Sequence, residues 1–342
     1  MSRLSDHTTL HLGGPAQEWV TAATEDELTE AVRRADGPVL ILGGGSNLVV
    51  GDEGFPGTVV RVATRGITFS NAGEEADVTV AAGEPWDAVV AAAIDAGLAG
   101  LECLSGIPGS VGATPIQNVG AYGAEVAEVI TAVRVFDRLT AVTSVIPNEA
   151  CHFAYRTSLL KRVPDRYVVM SVTFRLPVSK LSGPVKYPDL ASELGVQTGE
   201  QAAAAEVRSA VLNVRRRKGM ELDPGDPDTR SAGSFFTNPV ITAEHYARLA
   251  AAAAGRVPRY DAGDGRVKVP AAWLIENAGF ARGYALAPGG ARISTKHTLA
   301  LVNPGDATTA GLIDLARTIR DGVHAAFGIT LAPEPTLIGV TL

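Results

Sequence analysis

The chain has 342 residues, which is more than a single hydrophobic core usually organises, so two or three domains are expected. A hydrophobic share of 46% and a charged share of 20% are ordinary for a globular protein and argue against disorder. The net charge of -7, with a single short basic run at 215–218, argues against a nucleic-acid partner.

The sequence also lacks the marks of export, membrane insertion and metal binding. The first residues carry no apolar signal-peptide core, and no run of about 18 apolar residues predicts a membrane span. Cys103 and Cys151 form no CxxC pair, and no His/Cys cluster has metal-ligand spacing. We therefore expect a cytoplasmic protein with reduced thiols, no metal and no membrane partner.

Helix and strand signals alternate over the first hundred residues. Thr24 and Glu27 fit a capping box before a helix that ends near Ala35. A second helix is predicted from Pro85 to a stop at Gly97. Strands are predicted at 39–42, 48–50, 58–62 and 78–82.

The middle and end of the chain contain longer irregular segments. The glycine-dense stretch at 100–123 predicts one long functional loop, and 177–200 is predicted as a polar connection. A helix follows that ends in the basic run, and we place the main domain boundary near 217. Further strands are predicted at 132–136, 167–176, 298–303 and 336–342, and further helices at 242–254, 270–278 and 306–327.

The first glycine cluster resembles a dinucleotide fingerprint only in part. Gly43, Gly44 and Gly45 follow a buried strand, but the next apolar residues, at 48–50, predict a strand rather than a helix. This strand–loop–strand turn could still present consecutive backbone N–H groups to anionic oxygens. A plain glycine-rich hairpin is the alternative.

The second glycine-rich segment, at 105–123, is more specific. Its glycines let the backbone approach a ligand closely, and Gln117 and Asn118 offer amides that donate and accept hydrogen bonds. A flavin ring edge, with alternating carbonyl and N–H groups, requires such partners. The alternative is an Ω-loop packed on itself.

Both segments resemble the FAD-binding loops of the UDP-N-acetylenolpyruvoylglucosamine reductase family, and the resemblance extends along almost the whole chain. Further matching segments lie at 8–16, 155–161, 233–239 and 333–339. Their order and spacing together make the match strong. The family pattern usually has lysine where this chain has Thr237.

The resemblance implies an α/β (α+β) fold with a two-lobed, non-Rossmann FAD-binding domain at 1–217 and a C-terminal α/β substrate-binding domain at 218–342. The lobes would span about 1–68 and 69–217, and the final strand near 333–342 would return to the flavin site. The implied reaction is NADPH-dependent reduction of the enolpyruvyl ether of a UDP-sugar by a monomer with non-covalent FAD. The implied FAD-binding residues are Gly43, Gly44, Gly45, Ser46, Asn47, Gly109, Ser110, Gly112, Ala113, Thr114, Gln117, Asn118, Gly120, Ala121 and Tyr122.

The resemblance also implies a catalytic set of Arg156, Ser234 and Glu334. Arg156 would stabilise the negative charge that develops on the substrate carboxylate, and Ser234 would donate the proton to the α-carbon. Glu334 would polarise the carboxylate or assist proton delivery. Each residue alone is better explained as a surface cation, a turn hydroxyl or a solvated carboxylate.

Substrate binding is implied for a further group of residues. Lys218 matches a lysine that contacts the diphosphate, although a cation at a helix C-terminus is also ordinary dipole complementation. Tyr187 resembles the tyrosine that closes over the substrate in the longer subtype. The remaining candidates are Tyr155, Asn238 and Lys268. His297 precedes a strand and is more simply a structural histidine.

Two other functions remain open. One is a different flavin oxidoreductase of the same FAD-binding superfamily, such as an oxidase of an alcohol or sugar. The other is a catalytically silent UDP-sugar-binding protein. Ser234, Lys218 and the resemblance to a UDP-sugar enzyme argue against the oxidase, and the set of Arg156, Ser234 and Glu334 argues against the silent binding protein.

Overall fold

The computed structural model describes residues 2–71, 73–253 and 255–342, and these form two compact units. The first unit comprises Ser2, Ala16–Gly45 and Phe55–Glu221. The second comprises Arg3–Pro15, Ser46–Gly54 and Leu222–Leu342.

The elements are numbered here in chain order. The strands are β1 (Ala16–Ala22), β2 (Val39–Leu42), β3 (Leu48–Val50), β4 (Phe55–Val62), β5 (Ile67–Asn71), β6 (Glu75–Ala81), β7 (Gly120–Ala121), β8 (Ala124–Glu125), β9 (Ile130–Asp137), β10 (Val142–Pro147), β11 (Tyr167–Pro177), β12 (Ser231–Ser234), β13 (Val240–Thr242), β14 (Tyr260–Asp261), β15 (Arg266–Lys268), β16 (Arg292–Ile293), β17 (Ala300–Val302) and β18 (Thr336–Ile338). The α-helices are α1 (Glu25–Arg34), α2 (Trp86–Asp95), α3 (Leu159–Arg162), α4 (Pro188–Leu194), α5 (Ala204–Arg217), α6 (Ala243–Ala252), α7 (Ala271–Asn277) and α8 (Thr309–Phe327).

The first unit contains a parallel sheet of order β1-β4-β2 and an antiparallel sheet of order β10-β9-β11-β6-β5. Alternate residues of β11 are buried, as its sequence pattern predicts. The Trp86 ring of α2 packs on Phe174 with ring centroids 5.7 Å apart. The predicted capping box at Thr24 and Glu27 is confirmed.

The second unit contains two three-stranded sheets, β12-β17-β16 and β13-β15-β14, and the parallel pair β18-β3. Helix α8 buries one apolar face in the core of this unit, including Leu312, Ile319 and Val323. Two predicted strands are shorter than expected, because 298–303 contains only β17 and 336–342 only β18.

The division of the chain differs from the single predicted boundary near 217. The structure divides it between Glu221 and Leu222, and it also places Arg3–Pro15 and Ser46–Gly54 in the second unit. The apolar side chains explain this placement, since Leu10, Leu12 and Val49 belong to the core of the second unit.

Several short elements were not predicted. Helix α4 lies in the predicted polar connection at 177–200 and has only seven residues, which is too short for a clear helical period. Strand β10 is exposed at most positions, so it lacks an alternating hydrophobic pattern. The predicted helix at 242–254 is α6, and residue 254 lies outside the described residues.

Among the helices within residues 2–71, 73–253 and 255–342, none combines the length and apolar character that a membrane span requires. The mixture of sheets and packed helices confirms the predicted α/β class.

Candidate active site

The first glycine cluster links strands of different sheets. Strand β2 pairs with β4, whereas β3 pairs with β18, so the hairpin alternative is excluded. The predicted strand–loop–strand arrangement is confirmed, and no helix follows Gly45. Gly45 itself has φ +62°, a conformation that favours glycine. One segment of the first unit ends with Gly43, Gly44 and Gly45. The next segment belongs to the second unit and begins with Ser46 and Asn47.

The two glycine-rich segments meet inside the first unit. A Cβ added to Gly43 would lie 2.2 Å from the Ser110 Oγ, and one added to Gly44 would lie 2.7 Å from the Gly109 Cα. At Gly44, only glycine allows the two backbones to approach this closely. The structure thus brings together two of the segments predicted to bind FAD, and bare backbone of this kind fits a cofactor with anionic oxygens.

The rest of the second loop is held by backbone hydrogen bonds. The Val111 and Gly112 N–H groups donate to the carbonyls of Glu84 and Ala82 at 2.9 and 2.8 Å. A Cβ on Gly112 would lie 2.6 Å from that of Ala82, so this glycine serves packing. The buried Thr114 hydroxyl donates to the Val111 carbonyl at 2.8 Å. The hydroxyl therefore has a role within the loop, and the predicted contact of Thr114 with FAD stays a prediction.

Asn118 also has a structural role that the sequence did not reveal. Its amide is buried and donates to the Glu125 carboxylate at 2.7 Å and to the Ala154 carbonyl at 3.2 Å. Its Oδ1 accepts from the Ala127 N–H at 3.1 Å. Both N–H donors have partners within the first unit, and the predicted contact of Asn118 with FAD stays a prediction.

Arg156 lies against the end of the same loop. Its guanidinium donates to the Gly120 carbonyl at 2.6 Å and to the Asn118 carbonyl at 3.4 Å, and its Cζ lies 5.2 Å from the centre of the Tyr155 ring. The residue is half-buried, with φ +54°. An arginine held in this rare conformation is typical of functional positions. The structure therefore joins three predicted site residues, Gly120, Tyr155 and Arg156.

Ser234 and Glu334 lie on neighbouring segments of the second unit. Ser234 ends β12, and the next residue, Phe235, accepts a hydrogen bond from the Glu334 N–H at 2.8 Å. Phe235 and Phe236 are buried, with ring centroids 5.1 Å apart, and they anchor the point where the two segments are hydrogen-bonded. Two of the predicted catalytic residues, a hundred positions apart in sequence, are thus close in space.

A turn at 294–299 flanks Ser234, which pairs with Ala300 in the sheet. The His297 Nδ1 accepts the Leu299 N–H at 3.0 Å, which supports its structural interpretation. The buried carboxylate of Asp228 holds the turn by accepting from Thr295 and from Arg292. Burial opposes the charge of Asp228, but these hydrogen bonds outweigh it and lower the pKa of its carboxyl.

Lys218 and Tyr187 come together in the first unit. Lys218 caps the end of α5 and lies 3.1 Å from the Asp189 carboxylate, in the first turn of α4. Tyr187 precedes α4 and packs edge-on against Tyr122, with ring centroids 5.8 Å apart. An open cleft of about 560 Å³ lies between α4 and α5 and is lined by residues that include Lys218. Lys218 was predicted to open the substrate-binding domain, but it belongs to the first unit.

Asn238 and Lys268 lie near each other in the second unit. The Asn238 Oδ1 accepts the Ala271 N–H at 2.9 Å, so this side chain helps to begin α7. Lys268 is on β15, opposite Val240, with its ammonium 5.9 Å from the centre of the Tyr260 ring. The helix contact gives Asn238 a structural function besides the predicted one.

Arg215 has a structural role inside the first unit. It belongs to the basic run at 215–218, but it is buried and donates to the Met220 carbonyl at 2.6 Å. Burial lowers the pKa of its guanidinium, which lies beside Tyr122 and Asp87. Its position four residues after Val211, on the apolar face of α5, was the signal that could have revealed this.

Two family models match the chain. A model described as an FAD binding domain matches residues 16–143. A model described as the C-terminal domain of UDP-N-acetylenolpyruvoylglucosamine reductase matches residues 226–338. The matched segments lie on either side of the division between the two units near residue 221.

Similar proteins extend over the whole length. The UDP-N-acetylenolpyruvoylglucosamine reductase of Thermobifida fusca is 54% identical, covering 99% of this chain and 97% of its own. That of Streptomyces coelicolor is 52% identical, covering 99% and 90%. The crystal structure of the Thermus caldophilus reductase covers 98% of this chain and 97% of its own with a TM-score of 0.68 at 29% identity. The chain therefore belongs to the UDP-N-acetylenolpyruvoylglucosamine reductase family.

Proposed function

We propose that this protein uses NADPH and bound FAD to reduce UDP-N-acetylglucosamine enolpyruvate to UDP-N-acetylmuramate, a step of peptidoglycan synthesis. Similarity at 54% identity along 99% of the chain carries this proposal. The two free cysteines suit the reducing cytoplasm, where we place the reaction.

The glycine-rich segments are the proposed FAD-binding residues. When bound, FAD supplies the hydride relay between NADPH and the substrate. Gly43, Gly44 and Gly109 present backbone without side chains, which suits the diphosphate of such a cofactor. Ser46, Asn47 and Gln117 remain candidates for polar contacts, and Tyr122 for packing. Neither loop contains a His or Cys that could attach the flavin covalently.

Arg156 is the proposed electrostatic stabiliser. Hydride addition to the vinyl carbon of the substrate leaves negative charge delocalised toward the carboxylate. A planar guanidinium matches a carboxylate, and Arg156 is held in place by the Gly120 carbonyl. A cation that is already positioned costs little reorganisation as the charge develops.

Ser234 is the proposed proton donor to the α-carbon, and Glu334 is the proposed residue that supports this step. Ser234 is the last residue of β12, and the residue after it, Phe235, is hydrogen-bonded to the Glu334 backbone. The Ser234 and Glu334 side chains therefore extend from backbone segments that are held together. A general acid must be held within hydrogen-bond reach of the atom that it protonates. Glu334 would orient the carboxylate or assist the transfer.

Lys218 is the proposed contact of the substrate diphosphate. Lys218→Ala should weaken binding of the UDP-substrate about tenfold, because a charge-assisted contact is lost and the side chain is about a third exposed. Tyr187→Phe should weaken it less, and flavin content should stay the same in both variants. Isothermal titration of the FAD-loaded variants with the UDP-substrate measures the affinity, and the absorption spectrum measures the flavin content.

Arg216→Ala is the matched control, since Arg216 is an exposed cation of the same helix end that pairs with Glu221. It should leave affinity unchanged. Wild-type affinity in Lys218→Ala would mean that Lys218 only caps the helix.

The absorption spectrum of the purified protein tests the proposed function against its rivals. The protein should show a flavin spectrum that bleaches when NADPH is added without oxygen, and acid should release FAD into the supernatant. A colourless protein that takes up no FAD would overturn the proposal. Rapid reoxidation by oxygen with a sugar alcohol as reductant would favour an oxidase.

A further inference from the structure

The cleft between α4 and α5 contains two ion pairs arranged in parallel. Lys218 pairs with Asp189 at 3.1 Å, and Arg217 pairs with Glu193 at 2.6 Å. Both acids belong to α4 and both cations to the end of α5, all within the first unit. The two pairs leave these four side chains with no net charge, although a diphosphate is expected to bind there.

The two pairs differ in how firmly they are held. Glu193 is 22% exposed in its side chain and is also contacted by the Asn213 amide at 3.4 Å. Arg217 lowers the pKa of the Glu193 carboxyl. Asp189 is 60% exposed, and within residues 2–71, 73–253 and 255–342 its carboxylate makes one side-chain contact, with Lys218. Asp189 is therefore the acid that can be displaced.

We infer that Asp189 is an internal competitor that occupies Lys218 until the diphosphate of the substrate replaces it, and that it thereby sets substrate affinity. This inference rests on the proposed role of Lys218. An exposed pair of this kind stabilises little, so a diphosphate with several negative oxygens can displace it. If Asp189 stayed in place, its charge would repel the incoming phosphates.

Asp189→Asn tests this inference, because it removes the charge and nearly keeps the shape. The FAD-loaded full-length variant should bind UDP about 2- to 5-fold more tightly than the wild type, the range expected from releasing one exposed pair. Glu193→Gln is the matched control, since it neutralises the other acid of α4. The change in log Kd for UDP in Glu193→Gln should be less than about half of the change in Asp189→Asn. Isothermal titration with UDP measures both.

A double variant separates competition from a general change of charge. In the Lys218→Ala background, Asp189→Asn should give a smaller gain than in the wild type, because there is no ammonium to release and only the repulsion between Asp189 and the phosphates is removed. A gain of undiminished size there, or wild-type or weaker UDP binding by Asp189→Asn itself, would overturn the inference. If Lys218→Ala binds UDP as the wild type does, the assignment of Lys218 is what fails, and turnover of the enolpyruvyl substrate by the wild type tests the proposed reaction separately.

Discussion

In Ser234→Ala, NADPH should reduce the flavin at nearly the wild-type rate, while reoxidation by the enolpyruvyl substrate should slow by about 10²–10⁴-fold. The loss is large because Ser234 is assigned only to the second half-reaction, as the donor of the proton to the α-carbon. Alanine keeps the small size at this half-buried end of β12. Stopped-flow absorbance of the flavin resolves both halves in one instrument.

Two further variants give this experiment its controls. Ser234→Cys should keep more activity than Ser234→Ala, because a thiol can still deliver a proton. Thr237→Ala removes a nearby hydroxyl that donates to the Ala332 carbonyl, and it should leave both half-reactions close to wild type. If Ser234→Ala slowed flavin reduction instead, or left reoxidation unchanged, Ser234 would be a turn residue.

Gly44→Ala should cost the protein most of its flavin. The added Cβ would lie 2.7 Å from the Gly109 Cα and 3.1 Å from its carbonyl carbon, and backbone atoms cannot move aside as a flexible side chain can. Overpacking of this kind costs about 1–3 kcal/mol. Because both loops must shift, we expect FAD affinity to fall at least about tenfold.

The measurement is the ratio of flavin to protein in the purified variant, followed by titration with FAD. Gly183→Ala is the control, since an added Cβ there meets no atom within 4 Å and its φ is not in the left-handed region. It should keep its flavin. Wild-type FAD affinity in Gly44→Ala would mean that this close approach of the loops does not shape the cofactor site.

The sequence predicted the elements with strong periodic patterns and failed for short or exposed ones. Strand β11 and helix α8 bury regular apolar faces, so their patterns were visible. Strand β10 is largely exposed, and α4 has barely two turns. The segments at 3–15 and 46–54 carry apolar residues that could pack on either unit, and a local pattern does not reveal which.

The candidate site was predicted by residue type, and residue type does not distinguish a ligand contact from a structural hydrogen bond. Asn118 was chosen because an amide in a glycine-rich loop suits a flavin, and Thr114 because of the family resemblance, yet both side chains also satisfy polar groups of the protein itself. A buried loop must pair its own backbone groups, and short polar side chains often do this. The closeness of Ser234 and Glu334 depends on the pairing of distant segments, for which the sequence supplied only the family resemblance.

The most direct test is to incubate the purified protein with NADPH and UDP-N-acetylglucosamine enolpyruvate and to identify the product by mass spectrometry. We predict that NADPH is consumed in equimolar amount and that the product is heavier than the substrate by two hydrogen atoms. When the reaction is run in D₂O, the α-carbon of the product should carry deuterium, because its proton comes from an exchangeable hydroxyl. Unchanged substrate in the presence of NADPH-reduced flavin would contradict the proposed function.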